Sequence, residues 1–215
     1  MIDAIIADLK NLGTNRALAS WERLGMNSRL HYLGTNLSQL KVYAKKLKKD
    51  HQLAMSLWRS GIYDCMLLAC YIDEAKRISP SEADEVIGRC DVWGISDQYV
   101  KNQLVKASFV QEKAEEWIPS EKTFFKRSGF QLLNHLLKNS ALPDAYFIPY
   151  IEQIRNVETE ENWVREMMAY TLMSAKARPT LQKLALEIAE EVSPIQVDYG
   201  DTSCKLPDVR SYLQK

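Results

Sequence analysis

Apolar residues recur at helical spacing along almost the whole chain, and pairs of such segments return at intervals of roughly 35 to 45 residues. Phe125-Lys126-Arg127 and Trp163-Val164-Arg165 lie 38 residues apart, each opening the second helix of a pair. Tyr63-Asp64-Cys65 holds a similar place in an earlier pair, after Leu57-Trp58. A helix pair cannot bury its apolar stripe alone, so pairs stack and share a continuous core. The pattern predicts an all-α chain built as a solenoid of antiparallel helix pairs whose inner helices line a concave binding face. An irregular helical bundle is the competing architecture.

The helices follow from the periodicity and its punctuation. Ile2, Ile5, Ile6 and Leu9 mark a helix that Gly13 ends, and Thr14 caps a second one carrying Leu18, Trp21 and Leu24. Tyr32 to Asn36 reads as a loop, after which Asn36 or Ser38 caps a helix with Leu40, Val42, Tyr43 and Leu47 on one side. Its other side carries Lys41, Lys45, Lys46, Lys48 and Lys49, the densest positive patch in the sequence and, on ordinary grounds, a solvated face. Two apolar helices follow, about 50–60 and 62–75, broken at Gly61. Ser79-Pro80-Ser81-Glu82 is a helix start running to about Cys90. Further helices are expected at about 96–106, 110–117, 121–138, 144–155, 161–176 and 179–192, with a last turn at 208–214. Residues 1–192 are read as one HEAT-like α-solenoid domain, and 193–215 as an irregular tail packed on it.

With 215 residues, 46% apolar and 26% charged, the chain has the balance of a globular protein with a substantial core. Lys+Arg and Asp+Glu are equal at 28 each, so net charge selects no partner, and a nucleic-acid ligand needs basic residues gathered locally. Cys65, Cys70, Cys90 and Cys204 form no CxxC pair and lack zinc-site spacing. The opening Met1-Ile2-Asp3-Ala4 has no signal-peptide pattern, and no stretch approaches a membrane span, so a cytoplasmic protein with reduced cysteines is expected; a monomer is expected as well.

The usual catalytic signatures are missing. There is no GxGxxG, P-loop, HExxH or nucleophile elbow, and His31, His51 and His135 are scattered. No metal or cofactor is expected. What remains is carboxylate, aromatic and arginine, a set suited to electrostatic stabilisation. Asp91-Val92-Trp93-Gly94-Ile95-Ser96-Asp97 concentrates it: Trp93-x-x-x-Asp97 brings an indole and a carboxylate toward one small volume at a helix start. The plain alternatives are a core Trp and a helix-capping Asp.

That segment resembles the "DSWDxxD"-type motif of the bacterial DNA alkylation repair family, the AlkD-like alkylpurine DNA glycosylases. Glu121 through Phe130, with Phe125-Lys126-Arg127-Ser128-Gly129-Phe130, is similar to the family's "xRRAGF"-like helix start, and Asn162-Trp163-Val164-Arg165 through Leu172 to its "NFVxKAxxW" segment. Leu33-Gly34-Thr35 and Asp50 to Trp58 extend the likeness, which spans about residues 30 to 192. The resemblance implies a HEAT-like stack gripping duplex DNA, and hydrolysis of the N-glycosidic bond of cationic purines such as 3-methyladenine and 7-methylguanine. It implies Asp97 as catalytic carboxylate, Trp93 as one aromatic wall and Tyr170, where the family usually has Trp, as another. Arg127 then holds the phosphate beside the lesion, with Lys126 and Arg165 assisting. Gly94 stands where the family commonly has a bulkier or acidic residue. For Arg127 the plain alternative is a surface ion pair with an acid such as Glu121 or Glu161, for Lys126 and Arg165 it is plain solvent exposure, and for Trp163 and Tyr170 it is the core. A non-catalytic HEAT-like scaffold binding DNA or a protein partner is the second functional reading.

Overall fold

Side-chain caps fix where several helices begin. In the computed structural model, which describes residues 1–23 and 28–215, α1 spans Ile2–Leu12 and α2 spans Asn15–Arg23. Thr14 Oγ1 accepts the Ala17 amide at 3.2 Å, as its place before α2 predicts. Leu24 lies outside the described residues. Asn36 opens α3 (Leu37–Leu47) with a reciprocal capping box to Gln39, and Asp50 caps α4 (His51–Trp58) through the Leu53 amide. After the break at Gly61 come α5 (Tyr63–Ile72) and α6 (Pro80–Arg89), the latter begun by Ser79 and Glu82 capping each other's backbone. Next are α7 (Trp93–Asn102), α8 (Val110–Trp117), α9 (Thr123–Asn139) and α10 (Asp144–Glu152). α11 (Asn162–Ala175), α12 (Pro179–Val192) and α13 (Val209–Gln214) complete the order. Among the described residues there is no strand, only an isolated bridge between His31 and Ile62.

α5 ends at Ile72 rather than near residue 75, and the bounds of α7 and α10 also differ from those the sequence predicts. α7 begins at Trp93 rather than Ser96 and ends at Asn102, with a separate 3-10 turn at Leu104–Lys106. α10 stops at Glu152, and a 3-10 stretch, Gln153–Thr159, carries the chain on to α11. In both places apolar spacing continues while the backbone hydrogen-bond pattern tightens, a change periodicity cannot register.

The chain divides into two compact units, 1–108 with 200–202, and 109–199 with 203–215. In the first, α5 is central and packs against α3, α4 and α7. Nine of its ten residues are buried, as its all-round apolar sequence predicts. Asp64, an acid within this apolar surround, is fully buried, and its two oxygens accept the amides of Leu33 (2.7 Å) and Thr35 (2.8 Å). The loop 31–36 is thereby tied to α5 by a side chain. Trp58 and Tyr99 meet edge to face at 5.0 Å within this core.

In the second unit α9 packs on α8 and α11, and α12 on α10, α11 and α13. A Cβ at Gly129 would lie 2.7 Å from the Ile118 amide nitrogen, so glycine permits the close approach of α9 to the end of α8. The last helix is held on α12: Gln182 Nε2 donates to the Leu213 carbonyl at 2.7 Å, and Lys176 Nζ sits over the Tyr212 ring.

Candidate functional site: an acid–aromatic helix

The early start of α7 changes what Trp93 and Asp97 are. Val92 is the N-cap and makes no side-chain capping bond, so Trp93 occupies the first turn and Asp97 the second. Four residues apart, they lie on one helix face. Both side chains are partly exposed, whereas their neighbours Gly94, Ile95 and Ser96 are buried. The helix-cap alternative for Asp97 is thus removed by position. Asp91, before α7, instead serves structure: it accepts the Ser28 hydroxyl at 2.8 Å and the Arg29 amide at 2.7 Å. Asp97 also leaves its mark on Cys90, whose thiol burial drives well upward, with the Asp91 and Asp97 carboxylates adding to the shift. Cys65 is pushed up to about 11, again chiefly by burial, which makes both thiols poor nucleophiles.

Gly94 has a physical reason beyond the motif. A Cβ there would stand 2.6 Å from the Tyr63 hydroxyl. Tyr63 is itself locked in a trio: Trp21 and Tyr32 stack at 4.5 Å, and Tyr63 meets them edge-on at 4.4 and 5.2 Å. Together with Trp93 these rings face a groove of about 680 Å³. Burial raises the Tyr32 pKa to about 12 and lifts Tyr63 further, so both hydroxyls stay protonated. In the linear sequence Trp21 is a helix residue, Tyr32 part of a loop and Tyr63 a repeat position. Their convergence has no linear signature.

The lysine helix borders a second groove, of about 490 Å³, lined by Lys41, Lys45, Lys48, Lys49 and Tyr71. Lys41 Nζ lies 5.8 Å from the Tyr71 ring centre. Lys49 donates to the carbonyls of Tyr71 and Asp73, both at 2.9 Å, closing the C-terminus of α5. Desolvation, with Lys106 nearby, lowers its pKa.

In the second unit the four residues singled out by sequence stand on α9 and α11. Arg127 is buried (1% exposed) rather than presented to solvent: it pairs with Glu166 at 2.8 Å and donates to the Trp163 carbonyl. The acid of this pair is Glu166, on α11, and the pair is buried rather than at the surface. Glu166 also accepts the Tyr199 hydroxyl at 2.8 Å, and Tyr199 packs on Trp163. Lys126 pairs with both oxygens of Glu160, at 2.8 and 2.9 Å. Arg165, partly exposed, donates to the Glu160 carbonyl at 2.6 Å. The 38-residue repeat thus places its cations along one seam between α9 and α11. Tyr170 is 37% exposed and is not a core residue.

These elements define the class: an all-helical, HEAT-like repeat protein carrying an acid–aromatic helix. Comparison with solved structures gives the same fold. One chain, described as "a new family of proteins related to the HEAT-like repeat DNA glycosylases with affinity for branched DNA structures", superposes with a TM-score of 0.84 at 23% identity, covering 99% of this chain and 92% of that one. The chain belongs to the DNA alkylation repair enzyme family, whose model matches residues 5–172. Uncharacterized proteins of Listeria innocua and Listeria monocytogenes are each 25% identical over 225 residues, covering 99% of this chain and 96% of theirs.

Proposed function

We propose that the protein hydrolyses the N-glycosidic bond of cationic alkylated purines, 3-methyladenine and 7-methylguanine among them, in duplex DNA. The observation that carries this reading is that Trp93 and Asp97, both partly exposed, share one face of α7, with Asp97 placed inside the helix rather than at its cap. An alkylated purine is already a cation and leaves without a general acid. The sugar left behind becomes oxocarbenium-like, and a fixed carboxylate lowers the energy of that charge and orients the attacking water. The indole of Trp93 adds cation–π attraction of about 0.5–2 kcal/mol.

In the second unit, Lys126 and Arg165 are the phosphate-binding candidates, since both retain some exposure. Arg127, enclosed by Glu166 and the Trp163 carbonyl, is proposed to position α9 on α11. Tyr170 is the aromatic candidate there, supported by its exposure. Methylated duplex DNA incubated with the protein is expected to release free base, and Asp97→Asn to slow that release on the order of 100-fold or more. Unchanged release by the variant refutes the role of Asp97.

A second reading is favoured by the structural neighbour's described affinity for branched DNA. On this reading the chain binds branched DNA without cutting a glycosidic bond. Tight binding to a four-way junction with no base released, from the wild-type protein, supports it over the first.

A further inference from the structure

We propose that the aromatic groove of the first unit is a binding site for one unpaired nucleotide of DNA, its base laid against Trp21 and Tyr32. This rests on the DNA reading above and adds a subsite to it. Three features carry it. The groove, about 680 Å³, falls within the usual size of a small-molecule site, and aromatic rings form much of its wall. Base–aromatic stacking is strong and indifferent to base identity, because every base presents a π-face.

Two of the rings, Tyr32 and Tyr63, are also held in place before any ligand arrives. Tyr32 sits in a loop pinned on both sides: the His31 amide donates to the Gly61 carbonyl at 3.1 Å, the Tyr63 amide to the His31 carbonyl at 2.9 Å, and Asp64 clasps the amides of Leu33 and Thr35. Binding therefore costs little ordering of the site. The rim, finally, suits a phosphate. Arg16 lines it, as do Thr14 and Asn36 at the starts of α2 and α3, and among the described residues none that lines it is acidic. Because Trp93 lines the same groove, an extruded nucleotide there lies beside the acid–aromatic face of α7.

The test uses two DNA duplexes that differ only in one extra, unpaired 5-iodo-2′-deoxyuridine. The full-length protein is expected to bind the bulged duplex at least about tenfold more tightly than the paired one. Ultraviolet irradiation is expected to cross-link the bulged base to Trp21, Tyr32 or Tyr63, read by mass spectrometry of the digest. Ala17→Trp, which fills the groove and leaves its rings in place, is expected to abolish the preference while paired-duplex binding persists. Equal affinity of the wild-type protein for the two duplexes overturns the proposal, as do cross-links confined to other residues, and in that case binding of paired duplex leaves the DNA reading standing. Failure to bind either duplex removes both. Should Ala17→Trp fail to fold, the wild-type affinities and cross-links still decide.

Discussion

At Gly94 the absence of one methyl group links the candidate site to the groove beside it. The Tyr63 hydroxyl occupies the space a Cβ would need, and Tyr63 cannot swing away because Trp21 and Tyr32 enclose its ring. Gly94→Ala is therefore expected to destabilise the protein by about 1–3 kcal/mol through overpacking. Tyr63→Phe, which deletes the oxygen and keeps the ring, should restore most of that stability in the double variant. Denaturant unfolding of the two single variants and the double gives the coupling directly, and purely additive effects would contradict the contact. The motif's departure from its family at this position is thus explained by a neighbour 31 residues earlier in the chain. Arg127 follows the same logic. Its motif is legible in sequence, yet its burial against Glu166 depends on how closely α9 and α11 approach, which no motif encodes.

Among elements, His51 joins three. It opens α4, its Nδ1 lies 2.7 Å from Asp73 at the end of α5, and its Nε2 lies 3.2 Å from Glu82 in the first turn of α6. Glu74 approaches its backbone amide at 3.4 Å. Burial alone would lower the imidazole pKa, but the hydrogen bonds and charges of Asp73 and Glu82 outweigh it, and the pKa is raised. A raised folded value means the protonated ring stabilises the fold. That contribution is present below the ordinary histidine value near 6.5 and disappears as pH climbs through the raised one. At the acid end the window closes where Asp73, itself raised by burial, takes up a proton. Urea midpoints are expected to fall as pH rises above the ordinary histidine value, and His51→Gln should flatten that fall. A variant with the same pH profile as the wild type would remove His51 from the account.

On the scale of the whole molecule, a formal net charge of zero means that any attraction to DNA comes from cations gathered locally. The groove of Lys41, Lys45, Lys48 and Lys49 is such a gathering, although Lys49 is already engaged by two carbonyls. Replacing Lys45 and Lys48 by Gln is expected to weaken duplex binding uniformly across sequences. The same change should make the slope of log affinity against log salt shallower by up to about 0.9 for each phosphate no longer neutralised. An unaltered slope in a salt titration would place the DNA-binding surface elsewhere.

The sequence by itself determined the helices, the caps of three of them and the HEAT-like family. Those properties are written in residues near one another in the chain: an apolar period, a Ser or Asn before it, a Glu or Gln three residues on. It also placed Trp93 and Asp97 together, because four residues along a helix share a face. Only the tertiary structure decided that Trp21, Tyr32 and Tyr63 form one aromatic wall, that Asp64 fastens the loop carrying Tyr32, and that Arg127 is enclosed. Each of these joins residues brought close by packing between helices, and side chains distant in sequence carry no local mark of the partner they will meet.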